Sequence, residues 1–202
     1  MFKVGITGNI GSGKTTVCKI FETLGIPVFY ADDAAKKVMV SDTILIEAIK
    51  KAFGAESYQS DGTLNRKHIS AIVFSSEEQL AKLNALVHPA VFRAFDVWVK
   101  QFEGQKDVPY VLKEAAILFE SGSYKMCDRS LMVSAPQSLR IQRVVQRDNI
   151  PAEEVQKRES RQMAEEQKLQ LANDVIINND TQLVIPQVLR LHQLYLSLAN
   201  QK

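Results

Sequence analysis

Residues 8–15 read GNIGSGKT and decide the fold, because they match the P-loop pattern GxxxxGK[ST]. The stretch follows the apolar segment 3–7 and precedes a helical pattern over 16–24, which is the context that the pattern requires. Its glycines let consecutive backbone N–H groups, together with the N-terminus of the next helix, surround an anion. A turn that only joined a strand to a helix would have no need of lysine followed by threonine.

The motif predicts which residues contact a nucleotide. Lys14 is expected to bridge the β- and γ-phosphates of ATP, and the hydroxyl of Thr15 is expected to ligate the Mg²⁺ that accompanies ATP. Lys14 is also predicted to act in catalysis, because its charge meets the phosphates in the transition state as well as in the ground state. The residues of this segment predicted to bind ATP are Gly11, Ser12, Gly13, Lys14, Thr15 and Thr16.

Five short apolar segments recur along the chain, with helical patterns between them: 3–7, 27–30, 110–113, 130–134 and 174–177. Runs this short and this continuously apolar are typical of strands that are covered on both faces. Their alternation with helices predicts right-handed crossovers and a parallel sheet. We therefore predict an α/β fold of the P-loop kinase type, a five-stranded parallel sheet flanked by helices.

The chain between the second and third segments is roughly eighty residues long, which exceeds an ordinary crossover. It contains helical patterns over 44–53, 69–74 and 77–102, the last interrupted at His88-Pro89. We expect residues 33–104 to form a helical acceptor-binding insertion, and residues 1–32, 105–140 and 170–202 to form the nucleotide-binding core. Residues 141–169 are charged on all sides and poor in apolar residues, which fits a mobile lid at least as well as a solvated connector. We expect a helical lid over these residues.

Composition limits the partners. A formal net charge of +2, with 24% charged residues, argues against a nucleic-acid or membrane partner. No apolar run approaches the roughly 18 residues that a membrane helix needs, and the N-terminus lacks a signal-peptide pattern, so a cytoplasmic location is expected. Cys18 and Cys127 have no ligand cluster around them and are interpreted as buried thiols in a reducing compartment. We expect a monomer or a weak oligomer.

A P-loop predicts nucleotide binding but does not identify the acceptor. GTPases require DxxG and NKxD strings, and neither occurs in this chain. A transporter-type ATPase would need its signature motif and a longer chain. What remains is a small-molecule kinase in which the insertion holds the acceptor and an arginine-bearing lid closes over the phosphates. A kinase acting on a nucleoside or its monophosphate, and a nucleotide sensor without turnover, stay open as alternatives.

Two neighbouring aspartates follow the second apolar segment in the stretch VFYADDAAK, residues 28–36. A small-molecule kinase needs a carboxylate that orients the acceptor hydroxyl and takes its proton. Adjacent side chains point in different directions, so either Asp32 or Asp33 is expected to face the nucleotide while the other caps a helix beginning at Ala34. The alternative is that both serve as caps.

Several strings occur in an order that resembles the dephospho-CoA kinase family over essentially the whole chain. They are GNIGSGKTT at 8–16, LGIPVFYAD at 24–32, GTLNR at 62–66, LNALVHP at 83–89, ILFESG at 117–122, QRVVQRD at 142–148, RQM at 161–163 and ANDVIINN at 172–179. Each later string is weak alone, but their order and spacing together are specific. The resemblance implies transfer of the ATP γ-phosphate to the 3′-hydroxyl of dephospho-CoA, the last step of coenzyme A synthesis, with ATP and dephospho-CoA as the small-molecule partners.

The resemblance decides between the two aspartates and shows one departure. The family's D-A-D motif falls on Tyr30-Ala31-Asp32, which implies that Asp32 is the catalytic base and contacts the acceptor. Tyr30 stands where the family has its first aspartate, so a carboxylate that helps to hold Mg²⁺ or its waters is missing. Asp33 is a candidate partial substitute. Smaller departures are Ala116, where proline is frequent, and Asn173, where an acid is common.

Other matched positions carry a functional and a structural interpretation. The resemblance implies that Arg66 and His88 bind the acceptor; the structural alternatives are a surface cap partner for Arg66 and a helix-break residue for His88. Glu114 ends the third apolar segment, where an acid orders Mg²⁺ through water in many P-loop proteins, or it is a helix cap.

The arginine-rich segment offers further candidates, since five of the nine arginines fall between Arg140 and Arg161. Arg143 and Arg147 are spaced i to i+4 on one helix face and are predicted to bind ATP phosphates together. The alternative pairs Arg147 with Asp148 or Glu154 on a solvated face. Arg161 and Gln162 are expected on a second lid helix, in contact with substrate.

Overall fold

The computed structural model describes residues 1–73 and 75–202. The helical pattern expected over 69–74 ends on Phe74, which lies outside the described residues. The chain divides into two units: Met1–Tyr30 with Gln101–Lys202, and Ala31–Lys100.

The first unit contains a five-stranded sheet. Its strands are β1 (Phe2–Thr7), β2 (Val28–Tyr30), β3 (Tyr110–Glu114), β4 (Arg129–Ser134) and β5 (Asp174–Ile177). All neighbouring strands pair in parallel, in the order β2-β3-β1-β4-β5. The predicted parallel sheet is confirmed, and each predicted segment matches a strand to within one residue at either end. Because the strands are parallel, their carboxyl ends all lie along the same side of the sheet.

Helices fill the connections between the strands and the whole second unit. They are α1 (Lys14–Thr23), α2 (Ala31–Ser41), α3 (Thr43–Phe53), α4 (Arg66–Val73), α5 (Glu77–Lys100), α6 (Gln137–Asp148), α7 (Ala152–Glu159), α8 (Glu165–Leu171) and α9 (Val184–Ala199). Pro136 and Pro151 stand directly before α6 and α7, where their missing N–H groups break no helical hydrogen bond. None of these described helices combines the length and apolarity that crossing a bilayer requires.

The core of the first unit lies between the sheet and the helices α1 and α9. Phe21 of α1 and Tyr195 of α9 are both fully buried, with ring centroids 6.4 Å apart. The hydroxyl of Tyr195 donates to the Asp174 carboxylate at 3.0 Å, and Arg129 donates to the same carboxylate at 2.9 and 3.0 Å. This polar group lies at the amino ends of β4 and β5, so it joins the two strands at the edge opposite the P-loop.

Buried ion pairs connect the helices of the segment 141–169 to the rest of the first unit, and its role as a lid stays a prediction. Arg140 is buried and forms ion pairs with Glu159 and Glu165, which ties α6 to α7 and α8. Lys168 of α8 is fully buried and pairs with Glu120 at 2.9 Å. Each of these buried charges has an opposite charge beside it, which offsets the cost of removing it from water.

The second unit is helical, as predicted, with two corrections. α2 begins at Ala31 and not at Ala34, so both aspartates lie in its first turn. α5 runs unbroken through Pro89, whereas an interruption was expected. Pro89 removes one helical hydrogen bond, but the buried face of α5 continues on both sides of it, with Val87 before and Val91 after, and that packing holds the helix together.

Leu112→Ala should reduce the free energy of unfolding by about 2–5 kcal/mol, because Leu112 is fully buried in β3 and the substitution leaves a cavity. Leu183→Ala is the matched control: Leu183 is 79% exposed, and its loss should cost about 0.5 kcal/mol or less. Urea unfolding followed by circular dichroism measures both. Equal losses would show that the core is not where the structure places it.

Candidate active site

The loop between β1 and α1 is shaped by glycines that have no room for a side chain. Gly11 has φ +80° and Gly13 has φ +93°, a left-handed backbone that glycine adopts freely. A Cβ atom on Gly11 would overlap the carbonyl oxygen of Arg140, and one on Gly13 would overlap Nδ2 of Asn178. α1 begins directly after, at Lys14. The loop amides and the first N–H groups of α1 therefore form one anion-binding surface.

The side chains of the loop are consistent with that surface. The ammonium of Lys14 donates to the carbonyl oxygen of Gly8 at 2.8 Å, inside the loop. Thr15 and Thr16 are exposed in the first turn of α1. The hydroxyl of Ser12 is buried and has no hydrogen-bond partner in residues 1–73 and 75–202. A phosphate oxygen would satisfy it, which removes a cost of about 1–3 kcal/mol.

Arg143 is joined to the loop through Asn178. The side-chain amide of Asn178 donates to the carbonyl oxygen of Ser12 at 2.8 Å, and Arg143 donates to the carbonyl oxygen of Asn178 at 3.1 Å. Arg143 also forms an ion pair with Asp180. Asn178 lies within the string ANDVIINN, and no role was predicted for it. Its place directly after β5, on the side of the sheet where the P-loop begins, was the signal that could have found it.

Arg147, unlike Arg143, pairs with its neighbour in the chain on the surface of α6. Its side chain is 64% exposed and donates twice to Asp148, at 2.7 and 2.9 Å. The hydrogen bond from Arg147 holds the pKa of the Asp148 carboxyl below its usual value. This is the pairing considered from sequence as the alternative, and ATP binding by Arg147 stays a prediction.

Arg161 and Gln162 lie in the connection between α7 and α8, so their predicted place on a helix is wrong. The connection bonds instead to the P-loop. The backbone N–H of Ile10 donates to Oε1 of Gln162 at 2.9 Å, and the side-chain amide of Asn9 donates to the carbonyl oxygen of Met163 at 3.3 Å. The structure thus brings Gln162 to the loop, while Arg161 is exposed.

Glu114 ends β3 beside the start of the P-loop. It pairs in register with Ile6 of β1 and with Tyr30 of β2, and it is buried. Burial raises the pKa of the neighbouring Cys18 thiol, the charge of Glu114 raises it further, and the charge of Lys14 opposes that rise. Both charges therefore act on one buried atom of α1. No described helix begins directly after Glu114, which removes its interpretation as a helix cap.

The residues at this edge fit a magnesium ion carried by ATP. The described residues contain no cluster of three or more His, Cys, Asp or Glu side chains that would enclose a metal. Mg²⁺ does not require one, because it keeps several waters and is held by one or two protein oxygens together with substrate phosphates. The exposed hydroxyl of Thr15 and the carboxylate of Glu114 are hard oxygen donors of that kind.

Tyr30, which replaces the family's first aspartate, is turned toward α1. Its hydroxyl donates to Oε1 of Glu22 at 3.1 Å, and the ammonium of Lys19 lies 5.6 Å from its ring centroid. Burial raises the pKa of the Tyr30 hydroxyl above its usual value, with the Cys18 thiol and Glu22 adding to the rise, so the group stays protonated. It is therefore a hydrogen-bond donor to α1 and supplies no metal-binding oxygen anion.

The two aspartates in the second unit are distinguished by their contacts. Asp33 is exposed and pairs with Lys36 at 2.8 Å, and that hydrogen bond lowers the pKa of its carboxyl. Asp33 is therefore a first-turn residue of α2 paired along the helix, and not the N-cap that was expected, because the helix starts at Ala31. Asp32 is exposed in the same turn.

The remaining predicted acceptor residues also lie in the second unit. Arg66 is the exposed first residue of α4. His88 is half-buried inside α5, and its ring stacks on Phe92 with centroids 6.3 Å apart. Since α5 is continuous, His88 is not a helix-break residue. A role of both side chains in acceptor binding stays a prediction.

A cavity of about 770 Å³ opens at the carboxyl ends of β4 and β5, against α7 and α8. Its lining includes Asn9 of the loop and Gln162, which is bonded to the loop, but neither Lys14 nor Thr15. The acids Glu159 and Glu165 in its wall are already paired with Arg140.

A parallel sheet in this strand order, with a GxxxxGKT loop after the central strand, defines a P-loop kinase. Shikimate kinase from Acinetobacter baumannii shares the fold, with a TM-score of 0.51 at 18% sequence identity over 98% of this chain and 94% of that chain. A crystal structure from Thermus thermophilus matches with a TM-score of 0.82 at 34% identity over 96% of both chains. The dephospho-CoA kinase from Campylobacter jejuni matches with a TM-score of 0.67 at 25% identity over 95% of both.

A model of the dephospho-CoA kinase family matches residues 2–184. The chain is 40% identical to the dephospho-CoA kinase of Salinibacter ruber over 181 residues, which is 90% of each chain. It is 43% identical to that of Chlorobaculum tepidum over 184 residues, 88% of this chain and 86% of the relative. The chain belongs to the dephospho-CoA kinase family and is an ATP-dependent kinase.

Gly13→Ala should weaken ATP binding by at least about tenfold, because the new Cβ would displace Asn178 and the loop amides with it. Gly25→Ala is the matched control: Gly25 has φ +81°, but a Cβ there would meet nothing within 4 Å. It should cost about 1–2 kcal/mol of stability and leave ATP affinity unchanged. Isothermal titration with Mg-ATP measures the affinities. A Gly13→Ala protein that binds ATP normally would contradict the described loop geometry.

Proposed function

We propose that this chain transfers the γ-phosphate of ATP to the 3′-hydroxyl of dephospho-CoA, giving CoA and ADP. The observation that carries the proposal is the P-loop at the carboxyl edge of the sheet, with Gly11 and Gly13 held against Arg140 and Asn178, in a chain that matches the dephospho-CoA kinase family over residues 2–184. The family match identifies dephospho-CoA as the acceptor, and the P-loop provides the binding site for the phosphates of ATP.

The first unit holds ATP in this proposal. The loop amides and Lys14 neutralise the β- and γ-phosphates, and Arg143 adds a positive charge from the side of Asn178. Thr15, with Glu114 acting through water, would hold Mg²⁺, which orients the phosphates and spreads their charge. Phosphoryl transfer depends mainly on positioning and charge stabilisation, and these groups supply both on the donor side.

Asp32 is the proposed base. The acceptor oxygen attacks the γ-phosphorus, the bond from that phosphorus to the ADP oxygen breaks, and the acceptor proton passes to the Asp32 carboxylate. Asp32 follows β2 by two residues and is exposed, whereas the neighbouring Asp33 is engaged by Lys36. Those contacts favour Asp32 over Asp33, in agreement with the position of the family motif.

The other substrate contacts are assigned by chemistry. Arg66 and His88 in the second unit are proposed to bind the acceptor, which carries anionic phosphate groups that a guanidinium and an imidazole can contact. Arg161 and Gln162, in the α7–α8 connection, are proposed to contact substrate above the P-loop. The free thiols Cys18 and Cys127 favour a reducing compartment, and we propose the cytoplasm.

Purified protein incubated with Mg-ATP should form CoA from dephospho-CoA and should not phosphorylate AMP or UMP. Chromatographic separation of the products measures both reactions. Phosphorylation of a nucleotide without CoA formation would show a nucleotide kinase, and ATP binding without any product would show a sensor.

Asp32→Asn should reduce kcat by about 10²–10⁴ with little change in ATP affinity, because a positioned base is lost while the phosphate-binding loop is intact. Asp33→Asn, one position along the same helical turn, is the control and should leave kcat within about threefold, since Asp33 pairs with Lys36. The CoA assay and a Mg-ATP titration measure the two quantities. If Asp33→Asn lost more activity than Asp32→Asn, the base would be Asp33 and not Asp32.

A further inference from the structure

The connection between α7 and α8 is bonded to the P-loop at its outer turn. Ile10 donates its backbone N–H to Gln162, and Asn9 donates its side-chain amide to the carbonyl oxygen of Met163, at 2.9 and 3.3 Å. Asn9 is buried. Residues 162–163 thus satisfy groups of the loop that no helix or strand satisfies, and any movement of this connection changes the hydrogen bonds of the loop.

The position of residues 162–163 depends in turn on Glu120. The backbone N–H of Met163 donates to Oε1 of Glu120 at 2.9 Å, so Met163 is held on one side by Glu120 and on the other by Asn9. Glu120 belongs to the turn that follows β3, in the string ILFESG, and the mechanism gives it no contact with either substrate. Its side chain is 21% exposed.

A fully buried ammonium holds Glu120 in place. Lys168 donates to Oε1 of Glu120 at 2.9 Å and to the carbonyl oxygen of Ala116 at 3.1 Å. Leaving such a charge buried without its partner is costly, so Lys168 and Glu120 constrain each other. The carbonyl oxygen of Ala116 also accepts from the hydroxyl of Thr7, the last residue of β1, at 3.3 Å.

These contacts close a ring around the start of the P-loop. It runs from Thr7 through the carbonyl oxygen of Ala116 to Lys168, then through Glu120 and Met163 back to the loop at Asn9. We propose that Glu120, held by Lys168, is a positioning residue for ATP binding: through Met163 it fixes Gln162 against Ile10 and keeps the loop amides set for phosphate. The inference rests on the proposed function for its kinetic part only.

The test compares three variants with a matched control. Glu120→Ala removes the acceptor and the charge, Glu120→Gln keeps an acceptor without the charge, and Glu120→Ala with Lys168→Met leaves no unpaired buried ammonium. The control is Asp174→Ala, which strips a partly buried carboxylate from Arg129 and Tyr195 at the opposite edge of the sheet.

Two measurements separate positioning from a loss of stability. Amide hydrogen exchange, followed by NMR without ATP, should speed up by about tenfold or more at Ile10 and Met163 in Glu120→Ala and in the double variant, and less in Glu120→Gln. The KM for ATP should rise by about tenfold in Glu120→Ala and in the double variant, while the KM for dephospho-CoA stays within about twofold. Asp174→Ala should lower the unfolding temperature and change neither quantity.

Unchanged exchange at Ile10 in folded Glu120→Ala or in the folded double variant would overturn the proposal, as would equal rises in both KM values or the same changes in Asp174→Ala. If Glu120→Ala alone fails to fold, the double variant and Glu120→Gln decide the outcome. The exchange measurement requires no turnover. A wild-type protein that made no CoA would therefore contradict the proposed function but leave the exchange result at Ile10 and Met163 unaffected.

Discussion

The structure of the first unit depends on a backbone segment that must expose its N–H groups to an anion while packed against two neighbours. Gly11 lies against the carbonyl oxygen of Arg140, and Gly13 lies against the side-chain amide of Asn178, so no Cβ atom can be accommodated at either position. Those neighbours come from α6 and from the residue after β5. The central strand, the helix after β4 and the end of β5 must therefore meet at one edge, which is what the parallel strand order provides.

Buried ion pairs join the helices that surround the P-loop. Arg140, whose backbone limits Gly11, has its guanidinium paired with Glu159 and Glu165, and Lys168 is paired with Glu120. Each pair joins a helix of the segment 141–169 to another part of the first unit. The segment is therefore held by ion pairs in addition to the buried apolar residues Val144 and Val155.

Prediction from the sequence succeeded where one local signal outweighed all others. Strands covered on both faces must be continuously apolar, so the five segments were visible, and the P-loop glycines were visible because their pattern has a unique spacing. It failed where a local signal competed with packing. Pro89 suggested an interruption, but buried residues on both sides keep α5 continuous. Charges near Arg161 suggested a helix, but the connection bonds to the P-loop instead.

Residue types at fixed spacing along the chain were enough to predict the α/β class, the strands, the phosphate-binding loop and the family resemblance. The folded chain was needed to show that Arg143 is joined to the loop through Asn178, that Tyr30 turns toward Glu22, and that Glu120 and Lys168 support residues 162–163. Those contacts join residues distant in sequence, and the choice among possible partners is made by burial, since a charge or a polar group removed from water must bond to whichever group the fold brings within reach.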